Sequence, residues 1–386
     1  MMTRMQRGDA GRWLISARLW WLTAVAASAL SAALNIAYAA DEVAPQRRPV
    51  KTIAPERIKI KAAQGEAIVP AYMSVDMNKV TGDAHPEIKR AVIVVHGRLR
   101  DADTYFELTV RAARESSVLA ETLVIAPQLL SFADTARHDV PATVARWKGE
   151  AWLAGDNGKS PFPVSSFEVL DGVIAQLVDR KRFPNLERIV LAAHSGGAQF
   201  LQRYAVVGRA DSVITSAGLQ PFAEGMDVTA SAKPVMRVRY VVANPSSYLY
   251  FDATRPHPAP SCREFDHWRY GLVDPVSYAQ GSDMKALEQR YFTRRVIYLL
   301  GGSDTDPKHR ALDTSCMAET QGKHRLERGN NYFAHVLKRA QSQKIGLRHS
   351  RVEVPGIGHD ADAMFNSTCG KAALFDTPGC EMKLGQ

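Results

Sequence analysis

The chain of 386 residues has only four cysteines, and none of them is spaced as CxxC, so zinc-ribbon and dithiol redox motifs are missing. No Lys/Arg run is longer than Arg180-Lys181-Arg182. The formal charge of +9 is therefore dispersed, and no nucleic-acid footprint is expected. Internal repeats and low-complexity tracts are absent, and the 46% hydrophobic and 23% charged residues are ordinary for a globular protein. Long apolar runs are also scarce. Only residues 19–34 (LWWLTAVAASALSAAL) go far without a charge. That stretch is weakly apolar and shorter than the roughly 20 residues of a membrane span.

What is there begins with an address. Arg4, Arg7, Arg12 and Arg18 precede the apolar run, and Ala37-Tyr38-Ala39 follows it with small residues where a signal peptidase reads. Residues 1–39 are expected to be a secretory signal peptide cut after Ala39, leaving no stable membrane span and a secreted or periplasmic protein. Cys262, Cys316, Cys369 and Cys380 all follow the cut, and an even count in an exported chain favours two disulfides. Three pairings are possible. The short Cys369–Cys380 loop is the easiest to close, which favours Cys262–Cys316 as the other bond.

Residues 40–87 read as an extended lead-in, rich in Pro and charge at its start, followed by the first strands. From 88 onward strand and helix patterns alternate. AVIVV (91–95), TLVIAP (122–127), RIVLAAH (188–194), VRYVVA (238–243), RRVIYLL (294–300) and RHSRVEV (348–354) are strands, the most apolar of them continuous runs suited to burial on both faces. Ser165-Ser166-Phe167-Glu168 is a capping box that opens a helix, and Asp101 or Asp103 caps another near Thr104. This alternation predicts a mostly parallel central sheet with helices on both faces. Residues 128–164 and 245–293 interrupt it, and the second is expected to form a loop-rich cap.

In an open parallel sheet, ligands bind beyond the carboxyl ends of the strands. Four such ends carry useful chemistry. Ala193-His194-Ser195-Gly196-Gly197 joins a strand to a helix, and small residues two positions either side of Ser195 let the elements approach on a sharp turn that exposes a nucleophile. His96-Gly97-Arg98 follows the 91–95 strand; the backbone N–H groups of Arg98 and Gly196 are candidate oxyanion donors. The side chains of Arg98 and Arg100 are expected to be solvated surface groups rather than ligands for a substrate anion, and His96 a structural histidine. Gly301-Gly302-Ser303-Asp304-Thr305-Asp306 supplies a carboxylate to orient an imidazole, with Asp304 favoured over Asp306 because it is nearer the strand. Gly356-Ile357-Gly358-His359-Asp360 presents a loop histidine after the last strand.

The order Ser195, Asp304, His359, each after a strand, resembles the α/β-hydrolase superfamily of serine hydrolases, over roughly residues 88–365. The resemblance rests on VVHGR, AHSGG, LLGGSDTD and GIGHD in that order; Ala193 stands where that superfamily usually has Gly. It implies the α/β-hydrolase fold and an exported hydrolase of small-molecule or polymeric carboxylic esters. Ser195 would be nucleophile, His359 base and Asp304 its orienting carboxylate, with no metal or organic cofactor. A peptidase or amidase on the same residues, and a non-catalytic ligand-binding protein of the same fold, are the competing readings. The rings of Tyr248, Tyr250, Phe251, Trp268 and Tyr270 either line an acyl pocket or pack the cap onto the core.

Overall fold

Among the described residues, eight long strands and one two-residue strand, Gln220–Pro221, form one sheet. The computed structural model describes residues 44–62, 64–75 and 84–385, so the expected signal peptide lies outside the described residues. In chain order the long strands are β1 (Glu56–Ala62), β2 (Gly65–Met73), β3 (Arg90–Val95), β4 (Thr122–Pro127), β5 (Arg188–His194), β6 (Val235–Ala243), β7 (Arg295–Gly301) and β8 (His349–Val354). Across the sheet they lie in the order β1-β2-β4-β3-β5-β6-β7-β8. Only β2 runs against its neighbours, pairing antiparallel with β1 and β4. All other pairings along this order are parallel.

Every residue of β3 and β4 is buried, as a strand covered on both faces requires. Alternate β3 residues serve the two faces. Ala91, Ile93 and Val95 join one core with α2 (Ser166–Leu177) and α3 (Gly196–Val207). Val92 and Val94 join the other with α1 (Ala102–Glu115) and the C-terminal Leu374 and Phe375. At the edge, β1 buries Ile58 and Ile60 and turns Arg57, Lys59 and Lys61 outward, a charged rim that discourages further strand pairing.

The local signals act where they were expected to, with one difference. The Ser165 hydroxyl accepts from Phe167 N–H, and Glu168 closes the box by accepting from Ser165 N–H (2.7 Å). Helix α1, however, starts at Ala102, two residues before the expected point, and the Asp101 side chain makes no cap bond. Both favoured disulfides are present, Cys262–Cys316 and Cys369–Cys380. Among the described residues no helix is long and apolar enough to cross a membrane.

The cap rings pack inward. Tyr248 and Tyr250 are fully buried, and Tyr248 stacks on Tyr332 with ring centroids 4.5 Å apart. The partner ring belongs to α5 (Arg325–Ser342), and α4 (Met284–Thr293) contributes Tyr291 to the same cluster. Trp268 donates its indole N–H to the Ala154 carbonyl (2.7 Å). These rings fasten the 245–293 segment to the core.

Candidate active site

Ser195 sits between β5 and α3 with φ 57° and ψ −122°, a region that L residues avoid because Cβ crowds the backbone. Two features hold it there. Its N–H donates to the Ala243 carbonyl at the end of β6 (3.0 Å). The start of α3 also presses on β3: a Cβ at Gly197 would lie 2.4 Å from the His96 carbonyl oxygen and 2.6 Å from that of Val95. Only glycine fits at 197. Ala193, two residues before Ser195, is fully buried in the sheet.

His359 reaches Ser195 from the loop after β8. Its Nδ1 lies 2.8 Å from Asp304 Oδ2 and its Nε2 lies 2.8 Å from Ser195 Oγ. An ionised carboxylate can only accept, so Nδ1 carries the proton and the Nε2 lone pair faces the hydroxyl. Asp304 is buried and its other oxygen accepts from Arg325 Nη1 (3.1 Å). Asp306 is exposed and accepts from the Lys308 N–H instead, so Asp304 is the carboxylate brought to the imidazole.

Three supporting residues carry no obvious sequence signal. Arg325, fully buried at the start of α5, also donates its Nε to Ser246 Oγ (2.8 Å). Asn244, at the end of β6, accepts from Gly301 N–H (2.7 Å) and donates to the Gly358 carbonyl (3.2 Å), tying the β7 turn to the histidine loop. An Asn directly after a strand was its only legible hint. Glu150 forms a bidentate ion pair with Arg98, by Nε (2.5 Å) and Nη2 (2.8 Å).

The Arg98 side chain is thus engaged and three-quarters covered, not a free surface group. Arg100 departs further from expectation. It is fully buried, with Nε 2.6 Å and Nη2 3.0 Å from the two Asp134 oxygens, because the turn after β3 folds inward. The backbones of Arg98 and Gly196 are neighbours: a Cβ on Gly196 would lie 3.2 Å from Arg98 N. Gly196 is the first residue of α3, so its N–H has no acceptor within the helix. Gly196 N–H and the amino end of α3 thus directly follow Ser195 in the chain, and a helix amino end favours negative charge. His96 is buried and structural. Its Nε2 accepts from Leu129 N–H (2.9 Å), its ring meets the Trp152 edge, and burial lowers its pKa to about 4.

Electrostatics favour a neutral imidazole beside an ionised carboxylate. Burial works to raise the Asp304 pKa, but the His359 hydrogen bond and charge, together with Arg325, outweigh it and hold the carboxyl below its usual value. Burial lowers His359 below its usual 6.5, and the Asp304 hydrogen bond only partly opposes this. Two further imidazoles flank it, His194 at 4.6 Å and His309 at 5.0 Å between ring centroids. Burial pushes both down, so neither competes for the proton near neutral pH. The arrangement can pass a proton from an alcohol to an imidazole and stabilise the imidazolium formed.

A cleft of about 190 Å³ opens beside this turn, lined by Arg98, Glu150, Leu153, Gln199, Arg269 and Asp313 among others. It borders the Ser195 turn, since Leu153 Cδ2 and Arg98 Cγ are the side-chain atoms a Cβ on Gly196 would meet. Among the described residues no group of three or more His, Cys, Asp or Glu side chains is placed to hold a metal ion.

No protein-family model matches the chain, and no curated protein matches it. Solved structures do. The poly(aspartic acid) hydrolase-1 of Sphingomonas sp. KT-1 is 19% identical, with 84% of this chain and 100% of that chain covered at a TM-score of 0.53. A poly(3-hydroxybutyrate) depolymerase of Bordetella parapertussis is 21% identical, with 87% and 96% covered, also at 0.53. The likeness covers more than four-fifths of the chain, and the chain has the α/β-hydrolase fold.

Proposed function

We propose that the protein is an exported serine hydrolase that cleaves carboxylic esters through an acyl-enzyme intermediate. The single observation that carries this reading is the continuous hydrogen-bonded path Ser195 Oγ–His359–Asp304, with both distances 2.8 Å. In the mechanism, His359 Nε2 takes the hydroxyl proton as Ser195 Oγ attacks the acyl carbon. Asp304 holds the imidazole in the productive tautomer and stabilises its positive charge. The N–H groups of Arg98 and Gly196 receive the oxyanion, each worth about 2.7–4 kcal/mol in the transition state. His359 then protonates the departing alcohol. Water, activated by the same imidazole, releases the acid and restores the serine.

The cleft supports a finer statement. It is small and lined by charged side chains, so short or polar acyl esters suit it better than long fatty chains. Hydrolysis of p-nitrophenyl esters is expected to fall at least about tenfold in kcat/KM from butyrate to palmitate. A flat or rising profile would contradict this use of the cleft. Aminoacyl p-nitroanilides tested beside the esters separate ester from amide cleavage. The name of one solved neighbour, the poly(3-hydroxybutyrate) depolymerase, denotes a hydrolase of a polyester and extends the candidate substrates to polyesters, whereas that of the poly(aspartic acid) hydrolase denotes one of a polyamide. Two disulfides support an oxidising destination, secreted or periplasmic.

A further inference from the structure

The amino ends of β5, β6 and β7 border a second cavity, of about 450 Å³. Ser195 follows the carboxyl end of β5, while Arg188 begins that strand. The cavity is therefore about 20 Å from the nucleophile, the length of seven strand residues. Seven arginines and a single carboxylate, Asp211, line it. Four of the arginines face each other in register: Arg188 opposite Arg237, and Arg239 opposite Arg295. Like charges directly opposed in a sheet are destabilising.

Compensation inside the protein is incomplete. Asp211 pairs with Arg294 (2.6 Å), Glu224 with Arg348 (2.7 Å), and Asp376 with both Arg188 and Arg239. Among the described residues, Arg237, Arg290 and Arg295 have no carboxylate within ion-pair distance; Arg290 donates to the Val206 carbonyl and Arg295 to Ser350 Oγ and the Arg348 and Met382 carbonyls, neutral acceptors that leave the charge uncancelled. Among the described residues, the buried Nε atoms of Arg239, Arg290 and Arg348 have no hydrogen-bond partner. Arg237 and Arg348 both lie over the Phe222 ring, 4.9 and 5.1 Å from its centroid. Burial and the neighbouring guanidiniums of Arg239 and Arg348 push Arg295 down to about 10. Grouping cations this way is costly unless a counter-charge enters.

We infer that this cavity binds a small multivalent oxyanion, one bearing two or more phosphate or carboxylate groups, held by Arg237, Arg295 and Arg348. Guanidinium forks match both groups bidentately, and the volume suits a small molecule. The site shares no residue with the Ser195 cleft and stands whether or not the protein is a hydrolase.

Calorimetric titration of the full chain in about 150 mM NaCl tests it, with inorganic pyrophosphate, citrate, and acetate as the monovalent control. Saturable binding of pyrophosphate or citrate is expected with Kd below about 1 mM, and acetate at least about tenfold weaker. Whichever of the two binds more tightly identifies phosphate or carboxylate as the recognised group. The double variant Arg237→Gln/Arg348→Gln is expected to lose at least about tenfold, and Arg237→Gln alone a measurable part of that, since its guanidinium lies over Phe222 with no carboxylate partner among the described residues. Ser195→Ala is expected to bind like the parent protein. No saturable binding of either oligoanion, or binding that survives the Arg237 and Arg348 substitutions in a folded variant, overturns the inference.

Discussion

At the carboxyl ends of β5, β7 and β8 the buried charges form one closed chain, Ser195–His359–Asp304–Arg325–Ser246, in which each donor has its acceptor. At the amino ends of β5, β6 and β7 guanidiniums crowd against one another, and three of them have no ionic partner among the described residues. One sheet thus carries two kinds of charged site. The first has its charges paired within the protein, which under the proposed function suits it to charge that appears only transiently, on an oxyanion and an imidazolium. The second is left unbalanced and suits charge brought from outside.

The contrast can be broken most severely at Asp304. Asp304→Asn is expected to lower kcat about 10⁴-fold, because the amide favours the wrong imidazole tautomer. Arg237→Gln at the other end is expected to leave kcat within about twofold, as a substitution remote from the reacting groups. Comparable losses from both would show that the two ends are not independent.

A smaller effect is expected from Arg325→Gln, up to about 10²-fold in kcat through misplacement of Asp304. Its pH profile separates electrostatic positioning from simple damage. His359 must be neutral to act as base, and its pKa lies below 6.5, so kcat/KM is expected to be flat near neutral pH and to fall as pH drops through that lowered pKa. Arg325 is one of the charges that lower it. Removing that cation raises the His359 pKa, and the acidic limb is expected to move to higher pH. A limb that stays in place would assign Arg325 a packing role alone.

The smallest effect sharpens the comparison from the amino end. Arg237→Gln removes a guanidinium that faces Arg188 across the strands and has no carboxylate partner among the described residues. It is expected to raise unfolding stability by roughly 0.5 kcal/mol at low salt, read by denaturant melts. The gain is expected to vanish in high salt, where like-charge repulsion is screened. A clear loss of stability at low salt would mean that the cluster is already balanced.

The strands and the turns after them were legible because they depend on nearest neighbours in sequence. β3, β4 and β5 are continuous apolar runs, and Ser195, Asp304 and His359 each follow a strand within a few residues. What could not be read depends on contacts between distant segments. Arg325 meets Asp304 across 21 positions, Arg98 meets Glu150 across 52, and Asn244 meets Gly358 across 114. Helix α5 carries no ordinary start signal in the sequence, because its cap is His324, which accepts from Glu327 N–H, rather than a Ser, Thr, Asp or Asn. Arg100 departs from expectation for the same reason: its polarity alone suggests solvent, whereas Asp134, 34 positions away, takes it into the interior.

The central claim is that Ser195 Oγ is an activated nucleophile. Labelling of the folded protein by a fluorophosphonate probe tests it most directly, since the probe reacts only with a serine made nucleophilic by its surroundings. The expected result is stoichiometric labelling of the parent protein, mapped by mass spectrometry to Ser195, and none of Ser195→Ala. An unlabelled parent protein, or a label that persists in Ser195→Ala, would contradict it.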